Sequence, residues 1–198
     1  MPLLESRAPA DPLTLFRRWY REAQAAGAPQ PEAMALATAG DSGPSARMVL
    51  YKDIQDGSFL FYSNYESRKG GDLAHENRAA VVFYWSATRH QVRVSGMVRR
   101  LSRGQSLLYF RSRPRGAQLS ALASRQSRVV SSRGALERTV RELDAKYPGD
   151  VPLPDDWGGY ALRPSEVEFW ESREDRLHDR LRYTRRKTGG WRIERLSP

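Results

Sequence analysis

The residues from Glu168 to Arg180, EFWESREDRLHDR, bring a Trp, a His, five carboxylates and three Arg into thirteen positions. A solvated charge run has no use for the Phe169–Trp170 pair, nor for Arg176 and His178 flanking Leu177 with Asp179 and Arg180 close behind. An aromatic ring, an imidazole and guanidiniums at this spacing suit a small, anionic, aromatic ligand. Rings stack on its face and cations take its charge. The competing reading is a strand and turn laced with surface ion pairs, which contribute little to stability.

Three further groups have the chemistry of anion sites. Arg47 and Lys52 interrupt the apolar segment SARMVLYK. Strict alternation sends them to opposite faces unless a bulge intervenes. Each needs a partner, either a carboxylate at a strand end or an anionic ligand. Ser67-Arg68-Lys69-Gly70 opens a helix just after a strand, where amides, a hydroxyl and two cations can cradle a phosphate. YFRSRPRG sets Tyr109 and Arg113 four apart, on one helical face, with Arg115 beyond a rigid Pro114. Gln91, Gln126 and Ser127 are neutral polar groups in expected buried surroundings, as core amides or as partners of a heterocycle.

The elements that must carry these groups are legible in outline. Asp11-Pro12 caps a first helix whose buried face is Leu15, Phe16, Trp19 and Ala23. Strands are expected over 33–38, 45–52, 58–63, 79–85 and 91–101. Asp56-Gly57 makes a hairpin, 79–85 is fully buried, and Gly96 marks a bulge or close approach. A short helix covers 69–75. A capping box at Ser102 and Gln105 starts another, followed by helical pieces over 117–124 and along the Leu136, Val140, Leu143, Tyr147 stripe. After a Pro-rich loop over 151–158, strands return over 166–170, 181–184 and 191–196. Strands early and late with helices between favour a mainly β fold: a closed antiparallel barrel with flanking helices, one domain over 1–198, its first ten residues a flexible arm. No GxGxxG follows a strand, which disfavours a dinucleotide-binding sheet.

The chain has 198 residues, 39% hydrophobic, and a formal charge of +10. It is long enough to bury a core. With no Cys and three scattered His, thiolate nucleophiles, disulfides and recognisable metal motifs are excluded. No signal peptide or membrane span is legible, so a cytoplasmic location is expected by default. Arg is spread along the chain without a basic tail, which argues for discrete anion sites over nucleic acid.

In order along the chain, DPLTLFRRW, AMALAT, SARMVLYK, FYSNYESRKG, HQVRVSG, YFRSRPRG, ASRQS, WGGY, EFW, RLHDR and WRIERLSP resemble the pyridoxamine 5′-phosphate oxidase family from Asp11 to Pro198. The resemblance implies an FMN-binding split β-barrel acting as a homodimer with FMN at the subunit interface. It implies an oxidase that converts pyridoxamine 5′-phosphate and pyridoxine 5′-phosphate to pyridoxal 5′-phosphate, with O2 as acceptor and H2O2 as product. FMN contacts would come from Arg47, Met48, Val49, Leu50, Tyr51, Lys52, Tyr62, Ser63, Arg68, Lys69, Gln91, Gln126, Ser127, Trp170 and Arg180. Lys52, Tyr109 and Arg113 would hold the substrate phosphate. Arg176 and His178 would lie over its ring as the catalytic pair. No metal, membrane or nucleic acid is implied.

Some positions depart from the family pattern. His90 replaces an Arg, Ala117 a Ser that adds a phosphate ligand, and Leu122 a Trp. A related flavin oxidase acting on another cyclic substrate, such as a phenazine precursor, is the rival reading, and a non-enzymatic flavin or pyridoxal phosphate carrier is the second.

Overall fold

A computed structural model describes residues 3–198. Helix α1 (Pro12–Ala25) starts as expected: the Asp11 side chain accepts from Leu13 N, and Pro12 fills the first turn. Its stripe, Leu15, Phe16, Trp19 and Ala23, is buried. Phe16 packs edge-on against Tyr51, Phe59 and Phe83 at centroid distances of 5.4, 4.8 and 5.0 Å, the centre of the larger core.

Among the described residues, nine antiparallel strands surround that core: β1 (Ala33–Gly40), β2 (Gly43–Leu50), β3 (Asp53–Gln55), β4 (Ser58–Asn64), β5 (Arg78–Trp85), β6 (His90–Arg100), β7 (Trp157–Glu171), β8 (Asp179–Arg185) and β9 (Trp191–Arg195). The pairing order is β2-β1-β5-β6-β7-β4-β3, with β8 and β9 branching from β7. Between β4 and β5 lies α2 (Arg68–His75); between β6 and β7 lie α3 (Arg103–Ser112), α4 (Arg115–Ala123) and α5 (Arg133–Lys146). Helix α3 has the expected capping box, with Ser102 and Gln105 satisfying each other's backbone donors.

Three differences from the sequence reading bear on the site. Strand β7 runs for 15 residues, starting at Trp157, where a Pro-rich loop was expected to continue through Gly158. Its first part pairs with β4 and its last part with β8, while β6 runs beside both. Pairing with β4 places Gly158 and Gly159 in the strand, and both positions are glycine because larger side chains do not fit. A Cβ on Gly158 would stand 2.0 Å from the Tyr65 hydroxyl, and one on Gly159 2.4 Å from Leu101 Cδ1. Strand β5 is buried on one face only: Tyr84 is 60% exposed. Lys52 lies past the end of β2, so alternation does not govern it.

Gly96 behaves as read. The β6–β7 register shifts between Ser95 and Gly96, and a Cβ there would meet Arg163 O at 2.0 Å. Ahead of α1, Leu3 is buried, Glu5 pairs with Arg195 at 2.7 Å and Tyr183 donates to Pro9 O, contacts with no sequence signal.

Candidate functional site

The expected site residues fall into two groups. The first is built on β4, α2 and α3. Ser67 caps α2 and is itself buried. Lys69, in the first turn, is buried, and its Nζ donates to Ser63 Oγ, Ser67 Oγ and Gln126 Oε1 at 2.8, 2.8 and 2.7 Å. Burial pushes this ammonium down to about 8, and the like charge of Arg47 adds to the effect. Three neutral oxygens hold the cation without cancelling its charge, which suits a site that meets an anion. Arg68, one residue earlier, is exposed.

Arg47 is held by a different network. Its guanidinium donates to Leu36 O at 3.2 Å and Thr38 Oγ1 at 2.6 Å, and it lies 3.5 Å from Asp72 of α2. Thr38 and Ser45 also donate to Asp72, at 2.6 and 2.8 Å. A carboxylate partner for Arg47 is therefore present, but it comes from α2 and not from a strand end. Along the same strand Met48 and Leu50 are exposed and Val49 is half-buried. The Tyr51 side chain is buried in the core, 5.4 Å from the rings of Phe16 and Tyr20, and burial raises its hydroxyl to about 12.

Next to Lys69 stands a set of near-parallel rings. Tyr62 stacks on Tyr109 at 3.8 Å and 18°, and on Trp157 at 5.8 Å and 16°. Lys52 Nζ lies 5.9 Å from the centre of Tyr109, and Arg113 Cζ lies 4.7 Å from the centre of Trp157. Tyr62, expected on the flavin, thus joins the residues expected around the substrate phosphate. Arg113 Nη1 is buried and has no hydrogen-bond partner among the described residues. Trp157 is the member that sequence reasoning missed; WGGY was read as a motif marker and assigned no role. Ala117 sits half-buried in the first turn of α4.

Gln126 and Ser127 were expected in buried surroundings, and both are exposed, in the loop between α4 and α5. Gln126 still reaches Lys69 and Ser63, the latter at 3.2 Å. A polar loop that folds over a buried lysine has no periodicity to betray it.

The second group lies on β6, β7 and β8. Gln91 pairs with Trp170, and Trp170 with Arg180, so three expected flavin contacts form one row across three strands. Arg180 donates to Glu168 at 2.9 Å and to Ser197 O at 2.8 Å; Glu168, buried, also pairs with Arg93 at 3.3 Å. The His178 ring is 4.7 Å from Trp170, tilted by 46°. Its Nδ1 accepts from the backbone N–H of Arg173 at 3.1 Å. In the neutral imidazole this leaves the proton on Nε2, a donor. Arg176 is exposed, on a short turn where Asp175 and Arg176 have φ of 57° and 58°. Two successive left-handed residues without a glycine mark a strained turn.

No hydrogen bond, ion pair or ring contact joins the two groups among the described residues. Gly159, opposite Tyr62, and Trp170 are separated along β7 by up to roughly 35 Å at about 3.3 Å per residue.

His90, the departure within HQVRVSG, is buried against Trp19 at 3.8 Å and 12°, with Nδ1 unpartnered among the described residues. Burial pushes it down to about 4. It fills the role of a flat core residue and touches neither group by any hydrogen bond.

No helix among the described residues is long and apolar enough to cross a membrane. Comparison with known proteins gives a consistent result. Residues 20–147 match the family model described as pyridoxamine 5′-phosphate oxidase, and residues 157–198 match a pyridoxine 5′-phosphate oxidase C-terminal dimerisation region. A pyridoxine/pyridoxamine 5′-phosphate oxidase of Salinibacter ruber is 52% identical over 192 residues, covering 95% of this chain and 89% of that protein. One from Burkholderia orbicola is 48% identical over 197 residues, covering 98% and 92%. Among solved structures, PhzG of Burkholderia lata, in complex with tetrahydrophenazine-1-carboxylic acid, aligns with a TM-score of 0.92 at 34% identity, covering 98% of this chain and 95% of that one. An FMN-binding protein of Nostoc punctiforme shares the fold with a TM-score of 0.76 at 18% identity. With both family models matched in sequence order and the relatives aligned nearly end to end, the chain belongs to the pyridoxamine 5′-phosphate oxidase family, and its fold is the FMN-binding split barrel.

Proposed function

We propose that this chain is an FMN-dependent oxidase that converts pyridoxamine 5′-phosphate and pyridoxine 5′-phosphate to pyridoxal 5′-phosphate, with O2 as electron acceptor. The observation that carries the reading is the presence of two separate cation sets around β4. One is Lys69 among neutral oxygens; the other is Lys52 and Arg113 on the rings of Tyr109 and Trp157. Two phosphorylated ligands side by side, a flavin mononucleotide and a phosphorylated pyridine, need two such sets.

The residues present fit FMN. The Ser67-capped first turn of α2, Lys69 and Arg68 offer donors and charge to a phosphate, and Arg47 stands beside them. Trp170, Gln91 and Arg180 offer a ring and donors suited to a heterocycle. When bound, FMN supplies the two-electron acceptor for a hydride from C4′ of the substrate and passes the electrons on to dioxygen, giving H2O2. The chain's own task is positioning. Lys52 and Arg113 hold the substrate phosphate, while Arg176 and His178 fix its ring. With Nδ1 engaged by the Arg173 N–H, Nε2 of His178 is the nitrogen left to face the substrate and orient its ring.

A homodimer with each FMN at the subunit interface accounts for the separation of the two groups. One copy contributes the Lys69 side and its partner the Trp170 side. The matched dimerisation region supports this, as do Met48, Tyr84 and Met97, each more than half exposed on strands β2, β5 and β6.

An oxygen-uptake assay of the FMN-loaded protein tests the function. Pyridoxamine 5′-phosphate is expected to consume O2 and water and to release H2O2, ammonia and the aldehyde in equal amounts. Absence of uptake, with FMN bound one per chain, would refute it. The likeness to PhzG favours one second reading, oxidation of a reduced phenazine precursor. That reading requires turnover of a non-phosphorylated tricyclic substrate in preference to pyridoxamine 5′-phosphate.

A further inference from the structure

Arg113 differs from many of the chain's other guanidiniums in what it packs against. Arg47 is beside Asp72, Arg180 and Arg93 share Glu168, Arg115 is on Asp144 and Arg195 is between Glu5 and Asp179. No carboxylate pairs with Arg113 among the described residues. Its guanidinium carbon lies 4.7 Å from the centre of the Trp157 ring and 5.9 Å from that of Phe110. A carboxylate would bind the edge of the guanidinium and occupy its N–H groups. An aromatic ring binds its face and leaves the edge free. The buried, unpartnered Nη1 is the result. Such a donor costs free energy unless an acceptor arrives.

Trp157 is in turn held firmly. It is buried with Phe110, Leu119, Val151 and Leu153, and it lies within 4° of parallel to Tyr109 at 6.3 Å. Lys52 rests on Tyr109. One set of rings therefore fixes where two cations stand.

Resting on the function proposed above, we infer that Trp157 is a positioning residue for substrate phosphate: its indole fixes the Arg113 guanidinium and keeps that side chain's N–H edge open to an oxyanion. Trp157 touches no reacting atom. Because phosphate is bound alike in ground and transition states, loss of this support shows in KM and leaves kcat in place.

The test is steady-state kinetics of the FMN-loaded enzyme with pyridoxamine 5′-phosphate, with inorganic phosphate as a competitive inhibitor. Trp157→Leu is expected to raise KM and the phosphate Ki together, each by about tenfold, with kcat within about twofold. Trp157→Phe keeps a smaller aromatic face and is expected to raise both by about threefold. Turnover of unphosphorylated pyridoxine, however slow, is expected to be the same in all three proteins. FMN content and melting temperature check that the barrel is intact; if Leu prevents folding, Phe carries the test. A wild-type KM and phosphate Ki in a folded Trp157 variant would overturn the inference, as would an equal fall in turnover of both substrates. A wild-type enzyme that neither binds inorganic phosphate nor prefers a phosphorylated substrate would overturn the proposed function, and this inference with it.

Discussion

The two ends of β7 are built in opposite ways. Around its start, Tyr62, Tyr109 and Trp157 stack, Lys69 is buried with three acceptors, and Lys52 and Arg113 rest on the rings. Around its finish, Arg176 is exposed on a turn with two left-handed residues, Leu177 beside it is 72% exposed, and Trp170 and His178 are only half-buried. The first is a set of stacked rings and seated cations assembled within one chain, the end that the proposed function reads as anion-binding. The second is the less buried, and under the proposed dimer it gains its cover from the flavin and the partner copy. Binding is thus expected to depend on the start of β7, and turnover on its finish.

The strongest way to break that division is at His178. Replacement by Ala removes the Nε2 donor and is expected to lower kcat about a hundredfold while FMN remains bound one per chain, because small errors of placement are costly to a positioned reaction. Loss of the flavin from His178→Ala, seen in the absorbance spectrum, would erase the distinction between the two ends.

The matching change at the other end is Lys69→Met. A charge-assisted hydrogen bond in a buried site contributes about 1.5–3 kcal/mol, so the Kd for FMN is expected to rise between about tenfold and a hundredfold. With saturating FMN, kcat should return to near the wild-type value. The same lysine predicts a pH dependence. Its ordinary value is 10.5, and in the folded protein it lies at about 8. The cation is present below that pH and is lost above it. FMN affinity is therefore expected to be level below about 8 and to fall as pH rises beyond it. The FMN-free protein should become more stable over the interval from about 8 to 10.5, where the unfolded chain binds the extra proton. Fluorescence titration and thermal melts over that range give the two slopes. Slopes of the same sign would show that Lys69 is not the group responsible.

A smaller effect is expected from Gly159→Ala. Its Cβ would stand 2.8 Å from Tyr62 Cε1 as well as against Leu101, so the ring set must shift. Overpacking of this kind costs about 1–3 kcal/mol. The melting temperature should drop by several degrees and KM should rise, with kcat little changed. The smallest is Ala117→Ser, which adds a hydroxyl in the first turn of α4, and is expected to lower KM by at most about tenfold without altering kcat. An unchanged KM would mean that the rigid end of the site already satisfies the phosphate fully.

Much of this architecture can be read from residue order. The α1 stripe, the capping box at Ser102 and the Gly96 bulge are local signals, and each appears where its chemistry requires it. What is not legible is whatever depends on a neighbour distant in the chain. Nothing near Arg47 announces Asp72, which arrives from α2. Tyr51 looks like its strand companions, but its ring belongs to the Phe16 core. Trp157 follows a Pro-rich loop, and only pairing with β4 shows that it begins a strand and faces Arg113. The same holds for the two site groups: their residue types are evident in order along the chain, but the length of β7 that parts them is not.

That one strand bears both groups has a genetic consequence under the proposed dimer. Each active site would draw the start of β7 from one copy and the finish from the other. A chain carrying Lys69→Met and a chain carrying His178→Ala would each be defective alone. Paired together, they concentrate both lesions in one site and leave the other wholly wild type. Random mixing makes half of the dimers of this kind, so co-expression is expected to restore about a quarter of the wild-type rate at limiting FMN. Two lesions placed at the same end of the strand could not rescue each other in this way.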